Sequence, residues 1–193
     1  MRRALFFALA LSLSACRQDA AQDLSPVEIS AETLGHFCQM NLLEHEGPKA
    51  QVHLEGLEGT PLFFSQVRDA IAYQRLPEQS HPILAIHVND MGAPDATWQD
   101  PGRGNWIDAE DAFFVLGSAR EGAMGAPEAV PFSSRQDALA FAAQEGGEVL
   151  QLAGITDDQV LAPAQRAHDA GGHAQDDTDF EDRLRSLSRQ EKD

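Results

Sequence analysis

A thiol and a thioether lie two residues apart in the tripeptide Cys38-Gln39-Met40. In an extended segment, residues i and i+2 project to the same side, so both sulfur atoms could reach one ion. Soft sulfur ligands favour Cu(I), whereas a tetrahedral zinc site usually requires more cysteine or histidine. The alternative is that Cys38 is a small buried residue and that Met40 fills the core. The tripeptide by itself leaves both interpretations open.

Two further methionines, Met91 and Met124, lie in turn-rich sequence rather than in an apolar periodic stretch. Met124 is flanked by glycine in Gly122-Ala123-Met124-Gly125, which favours a role as a ligand or a contact residue. Met91 follows an apolar segment, so capping of the core is a stronger explanation for it.

The first sixteen residues have the features of a bacterial lipoprotein signal. Arg2 and Arg3 precede an apolar stretch, Ala4 to Ala15, that is too short to span a membrane. The stretch ends in Leu13-Ser14-Ala15-Cys16, which looks like a lipobox, a motif whose cysteine receives a diacylglycerol and becomes the first residue after cleavage. The alternative is a plain secretory signal. We predict lipidation at Cys16 and an anchored protein on the periplasmic face of a bacterial membrane.

The charge balance excludes one class of partner. The 193 residues carry 14 Lys and Arg against 31 Asp and Glu, a formal net charge of −17, and nucleic-acid binding needs a basic face. There are two cysteines, which is too few for a disulfide-dense scaffold. If Cys16 carries lipid, Cys38 remains as the one free thiol.

An internal repeat organises the elements that must position these residues. Residues 64–73 read FSQVRDAIAY and residues 132–141 read FSSRQDALAF, and each segment predicts a helix start after a strand, with Ser65 and Ser133 as N-caps. The flanking sequence predicts strands over 50–54, 61–64 and 82–88, and again over 112–116, 130–132 and 148–152. The prediction is therefore an α+β fold of two similar ββαβ units.

The expected organisation has five parts. They are a signal peptide over 1–15, a flexible tether over 16–33, a first ββαβ unit over 34–92, a second over 93–160 and a disordered acidic tail over 161–193.

The motifs occur in an order that resembles the NosL family of copper-chaperone lipoproteins. They are the lipobox, Cys38-x-Met40, Val88-Asn89-Asp90-Met91, Trp106-Ile107-Asp108-Ala109 and Gly122-Ala123-Met124-Gly125, and the resemblance covers roughly residues 34–153. It implies a monomeric periplasmic carrier of Cu(I) with a fold related to the organomercurial lyase. It further implies Cys38, Met40 and Met124 as copper ligands. The implied partner is the maturation machinery of nitrous oxide reductase, either a membrane ABC-type assembly complex or the reductase itself.

Several alternatives stay open at this point. The third ligand could be Met91, His45 or His36 instead of Met124. An organomercurial-lyase-like enzyme would need a second thiolate beside Cys38, which the sequence does not offer if Cys16 is lipidated. A scaffold lipoprotein whose methionines only pack is the remaining possibility. We therefore expect a binding protein and not an enzyme.

Overall fold

Four antiparallel strands form the first sheet of the computed structural model, which describes residues 21–161. The spatial order is β2-β1-β3-β4, with bounds β1 Ala50–Leu54, β2 Leu62–Phe64, β3 Ile83–Asn89 and β4 Trp106–Asp108. Val52 lies opposite Leu62 on one side and Ile86 on the other, which places an apolar row across the sheet. Helix α1, Val67–Arg75, connects β2 to β3.

Three antiparallel strands form the second sheet, in the order β6-β5-β7. The bounds are β5 Phe113–Leu116, β6 Val130–Phe132 and β7 Glu148–Gln151, and helix α2, Arg135–Glu145, connects β6 to β7. Short 3₁₀ turns span Leu42–Glu44 and Leu152–Gly154, and a last helix, α3, spans Asp157–Leu161.

The prediction of a mixed fold of helices and antiparallel strands is confirmed. Each predicted strand is present to within one residue at either end, and a helix follows each predicted helix start. The predicted N-cap was wrong by one residue in both α1 and α2. Gln66 and not Ser65 is the N-cap of α1, and it makes no capping hydrogen bond with its side chain. Ser134 and not Ser133 caps α2, where its hydroxyl accepts from the N–H groups of Gln136 and Asp137. Strand β4 was not predicted, because three residues are too few to show an alternating pattern.

The main hydrophobic cluster is shared by both sheets. Alternate residues of β1 and β3 meet the apolar face of α1, together with Phe114 and Leu116 from β5 and Val160 from α3. Because successive residues of a strand face opposite sides, Val115 instead joins a smaller cluster with Val130, Phe132 and Ala138 of α2. Strand β5 therefore packs against a separate apolar cluster on each of its faces.

A buried carboxylate also joins the two halves. Asp90 follows β3, and its Oδ1 accepts from the N–H groups of Gly92 (2.8 Å) and Ser133 (3.0 Å). Its Oδ2 accepts from the Ser133 hydroxyl at 2.5 Å. One side chain at the end of the first sheet thus fixes the chain just before α2.

Residues 22–28, which we call the strap, contact the first sheet. Gln51 Oε1 accepts from the Val27 N–H at 2.8 Å, and Gln51 Nε2 donates to the Val27 carbonyl at 3.2 Å. Gln22 donates to the Leu54 carbonyl at 2.9 Å. The expectation of a flexible tether over 16–33 therefore fails for the strap, because each of these hydrogen bonds holds it to β1.

The predictions of a signal peptide, of lipid on Cys16 and of a disordered tail concern residues 1–20 and 162–193, which lie outside the described residues. Within 21–161, no helix combines the length and apolar character needed to cross a membrane.

Candidate metal centre

The Cys38 turn, residues 34–41, is a closed turn and not the extended segment expected from the sequence. Leu34 and Asn41 form an antiparallel bridge at its base. The N–H of Gly35 donates to the Met40 carbonyl and the N–H of Gln39 donates to the Gly35 carbonyl, both at 2.9 Å. Gln39 has a left-handed backbone, with φ of 55°. The backbone therefore curls between Cys38 and Met40 instead of running straight.

Gly35 is required by the position of the thiol. A Cβ at Gly35 would lie 2.4 Å from Cys38 Sγ, far inside contact distance. Cys38 is a free, half-buried cysteine, and the Met40 side chain is 40% exposed. The turn therefore offers one shielded thiol and one accessible thioether.

Backbone and ring contacts hold the Cys38 turn on the first sheet. The N–H of His36 donates to the Phe63 carbonyl at 2.6 Å. The Phe37 ring packs edge-on against Phe64 at 5.2 Å between centroids, and Phe64 lies 5.5 Å from Tyr73 of α1. Contacts of this kind add about 0.5–1.5 kcal/mol beyond the burial of area. The turn is thus positioned by the end of β2 and by α1.

The Met124 loop, residues 121–127, is closed in a similar way. Glu121 and Pro127 form a bridge, and the N–H of Gly122 donates to the Ala126 carbonyl at 2.8 Å. Gly125 has φ of 73°, a conformation that favours glycine. The Met124 side chain is 48% exposed, and its backbone N–H donates to Gln66 Oε1 at 2.8 Å.

Both sulfur-bearing segments contact residues 63–66, which we call the β2–α1 junction. The Cys38 turn binds the Phe63 carbonyl, and the Met124 loop binds the Gln66 side chain three residues later. The structure therefore brings the two backbones to one short stretch of chain. A thiolate and two accessible thioethers are ligands that suit Cu(I) rather than a hard cation. Among residues 21–161, no group of three His, Cys, Asp or Glu side chains is placed to hold a metal ion.

The other candidate ligands have different surroundings. Met91 packs against the smaller cluster that contains Val115, which agrees with a core role. The His36 ring lies 5.4 Å from the rings of Phe37 and Tyr73. His45 lines a surface cavity together with Gly122 and Ala123 of the Met124 loop, and its buried Nε2 has no hydrogen-bond partner among the described residues.

A buried acid beneath the Met124 loop was missed by sequence reasoning. Glu128 is 2% exposed, and its Oε1 accepts from the N–H groups of Arg68 and Ala129, both at 2.9 Å. Burial raises the pKa of Glu128 to about 8, and burial lowers the pKa of Lys49, itself 4% exposed, also to about 8. No sequence signal could have identified Glu128, since its partner Arg68 lies sixty residues away.

Comparisons with known proteins agree with this architecture. The NosL family model matches residues 26–160. A protein of Achromobacter cycloclastes named copper-binding lipoprotein NosL is 63% identical over 180 residues, covering 93% of this chain and 91% of that protein. One of the same name from Stutzerimonas stutzeri is 33% identical over 167 residues, covering 85% and 83%. The crystal structure of the copper chaperone NosL from Shewanella denitrificans superposes with a TM-score of 0.64 at 31% identity, covering 69% of this chain and 97% of that one. From the family match and these identities, we conclude that the chain belongs to the NosL family.

Proposed function

We propose that this chain is a Cu(I)-binding metallochaperone whose ligands are the Cys38 thiolate and the Met40 and Met124 thioethers. One observation carries the proposal: the turn with the free thiol and the loop with the exposed Met124 contact the same β2–α1 junction. The relatives are named for copper, and a sulfur-only ligand set favours its monovalent state.

The exposure of the thioethers supports a role in transfer. Met40 is 40% and Met124 48% exposed, so a ligand from a recipient protein could replace either without opening the fold. A closed cage would hold copper more firmly but release it slowly. The chain is then a carrier and not a catalyst: Cys38 is the only cysteine within 21–161, and bond cleavage by paired thiolates would need a second.

An anaerobic Cu(I) titration against a strong competing chelator tests the ligand set. Cys38→Ser should cause the largest loss of affinity, and Met40→Leu and Met124→Leu smaller losses, because a neutral thioether binds more weakly than a thiolate. Met91→Leu is the matched control and should bind as the parent does, since Met91 packs in the core. Unchanged affinity in Cys38→Ser would refute the proposal.

His45 is the main alternative for the third ligand. Its unpaired Nε2 and its place beside Gly122 and Ala123 favour it over His36, whose ring lies among aromatic side chains. Titration of His45→Gln beside Met124→Leu separates the two. A loss in His45→Gln with none in Met124→Leu would replace Met124 by His45 in the ligand set.

We further propose that lipid on Cys16 anchors the chain on the periplasmic face of the membrane. The lipobox sequence and the relatives' description as lipoproteins support this anchor. Labelling of growing cells with a radioactive fatty acid should mark the parent and not Cys16→Ser. Equal labelling of the two would place any lipid elsewhere.

The proposed destination of the copper is nitrous oxide reductase, reached through a membrane ABC-type assembly complex or directly. The measurement is the copper content of reductase purified from cells that carry Cys38→Ser, with Met91→Leu as control. We expect copper-depleted reductase in the first strain and normal content in the second. Full copper content in both strains would exclude this destination.

The two ββαβ units are proposed to descend from one duplicated unit with kinship to the organomercurial lyase fold. Support comes from the matching strand orders, β2-β1-β3 and β6-β5-β7, each with a helix before its last strand. A superposition of residues 50–89 on 113–151 in which α1 and α2 fail to coincide would contradict the duplication. Failure of both units to superpose on that enzyme's fold would contradict the kinship.

A further inference from the structure

Gln66 begins α1 but directs its side chain away from the helix backbone. It is 1% exposed and makes no capping bond to α1. Its Oε1 accepts from the Met124 N–H at 2.8 Å and its Nε2 donates to Asp69 Oδ2 at 3.0 Å. Because a backbone N–H can only donate, the atom facing Met124 must be the amide oxygen. Both ends of the amide are therefore used, and Asp69 fixes the rotamer that Met124 needs.

The Met124 loop lies against this amide with no spare room. A Cβ built on Gly122 would lie 2.5 Å from Gln66 Oε1 and 2.6 Å from Glu128 Oε2. Glu128 is held in turn by the N–H groups of Arg68 and Ala129. Gly122 thus permits the close approach, since a larger side chain would force the loop or the Gln66 and Glu128 side chains to shift.

We propose that Gln66 is a positioning residue for copper: it sets the place of the Met124 thioether relative to the Cys38 turn. This inference rests on the proposed function. The Cys38 turn is bound to Phe63 and the Met124 loop to Gln66, so residues 63–66 hold both segments. A neutral thioether adds to Cu(I) affinity only when it is correctly placed. Residues that hydrogen-bond to a ligand's own segment generally provide that placement.

The test is an anaerobic Cu(I) titration of Gln66→Leu with a matched control. Leucine has no acceptor for the Met124 N–H and adds no sulfur ligand beside the site. Gln51→Leu is the control, because Gln51 is equally buried and accepts a backbone N–H, that of Val27, at the same 2.8 Å. We expect about tenfold weaker Cu(I) affinity in Gln66→Leu. Both variants should melt at a lower temperature, but Gln51→Leu should keep the parent affinity.

The same substitution made together with Met124→Leu separates positioning from general damage. If Gln66 acts through Met124, Gln66→Leu should cause no further loss of affinity once the thioether is gone. An equal loss in both backgrounds, or parent affinity in Gln66→Leu alone, would overturn the inference. If Met124→Leu alone binds as the parent does, the proposed ligand set fails instead, and the two failures are told apart.

Gly122→Ala provides a second route should Gln66→Leu not fold. It should weaken Cu(I) binding in the parent and not in the Met124→Leu background. Gly154→Ala is its control, because the Cβ there would meet nothing closer than 3.8 Å. Parent affinity in folded Gly122→Ala would count against the inference as directly as the same result in Gln66→Leu.

Discussion

Replacing Glu128 by glutamine should change how the stability of the protein depends on pH. Burial raises the pKa of Glu128 from 4.5 to about 8, so the folded chain keeps a proton that the unfolded chain has lost. A pKa raised on folding stabilises the fold below the unfolded value and loses that stabilisation as pH rises. Between pH 4.5 and 8, the free energy of unfolding should fall by about 1.4 kcal/mol per pH unit from this group.

The substitution Glu128→Gln removes the titration and keeps the contacts. The amide oxygen can still accept from the N–H groups of Arg68 and Ala129. Over the 2.5 units from 4.5 to 7, the calculated gain is at most about 3 kcal/mol at pH 7, which is a large part of the stability of a typical domain. Lys49 keeps most of its charge up to about pH 7, because its lowered pKa is about 8.

The assay is urea unfolding at pH 5, 6, 7 and 8, followed by the fluorescence of Trp98 and Trp106. The stability of Glu128→Gln minus that of the parent should grow between pH 5 and 7, because groups that do not interact with Glu128 cancel in the difference and Lys49 keeps its charge there. Glu110→Gln, at an exposed glutamate, is the control for the loss of one carboxylate. Parallel curves for the parent and Glu128→Gln would refute the reasoning.

Three further predictions concern the fold. Burial lowers the pKa of both His53 and His87 below 6.5, so stability should be lost as pH falls below 6.5. In urea unfolding, His53→Gln should lose less stability than the parent as the pH falls below 6.5. The same dependence of stability on pH in both proteins would contradict this prediction. Phe114→Ala should lower the free energy of unfolding by about 3–5 kcal/mol, measured in urea, because the ring is fully buried; a smaller cost would mean that the core collapses around the gap. Gly147→Ala should lower the melting temperature and cost about 1–3 kcal/mol, because φ is 96° and the Cβ would lie 2.5 Å from the Leu116 carbonyl oxygen. An unshifted melting temperature would show that this backbone can relax.

The strands and helices could be predicted because their patterns are local. Alternation over 50–54 and the Ser-led apolar stripe after Phe132 are read from neighbouring residues alone. The N-cap of α2 was predicted one residue too early because two adjacent serines satisfy the same rule. The end of β6 determines which serine hydroxyl accepts from the N–H groups of the first helical turn. The strap could not be found, because its hydrogen bonds depend on Gln51, whose place on the sheet face follows only from the assembled strands.

The sequence suggests candidate ligands by residue type but does not show how the site around them is built. Cys38, Met40 and Met124 stand out by sulfur chemistry and by glycine neighbours. The curled backbone of the Cys38 turn follows from its bond to β2, and the Met124 loop depends on Gln66, fifty-eight residues away. Contacts between residues so far apart in the chain produce no periodic pattern in a single sequence, so they could not be predicted from it.

The sharing of one core by both sheets has a consequence for how the molecule unfolds. Phe114 and Leu116 of the second sheet complete the cluster around α1, and Asp90 of the first half binds the start of the second. Separating the halves would expose that cluster and leave the Asp90 carboxylate without its partners. The two sheets should therefore melt in a single cooperative transition. Neither half, expressed as a fragment, should fold until the other is added.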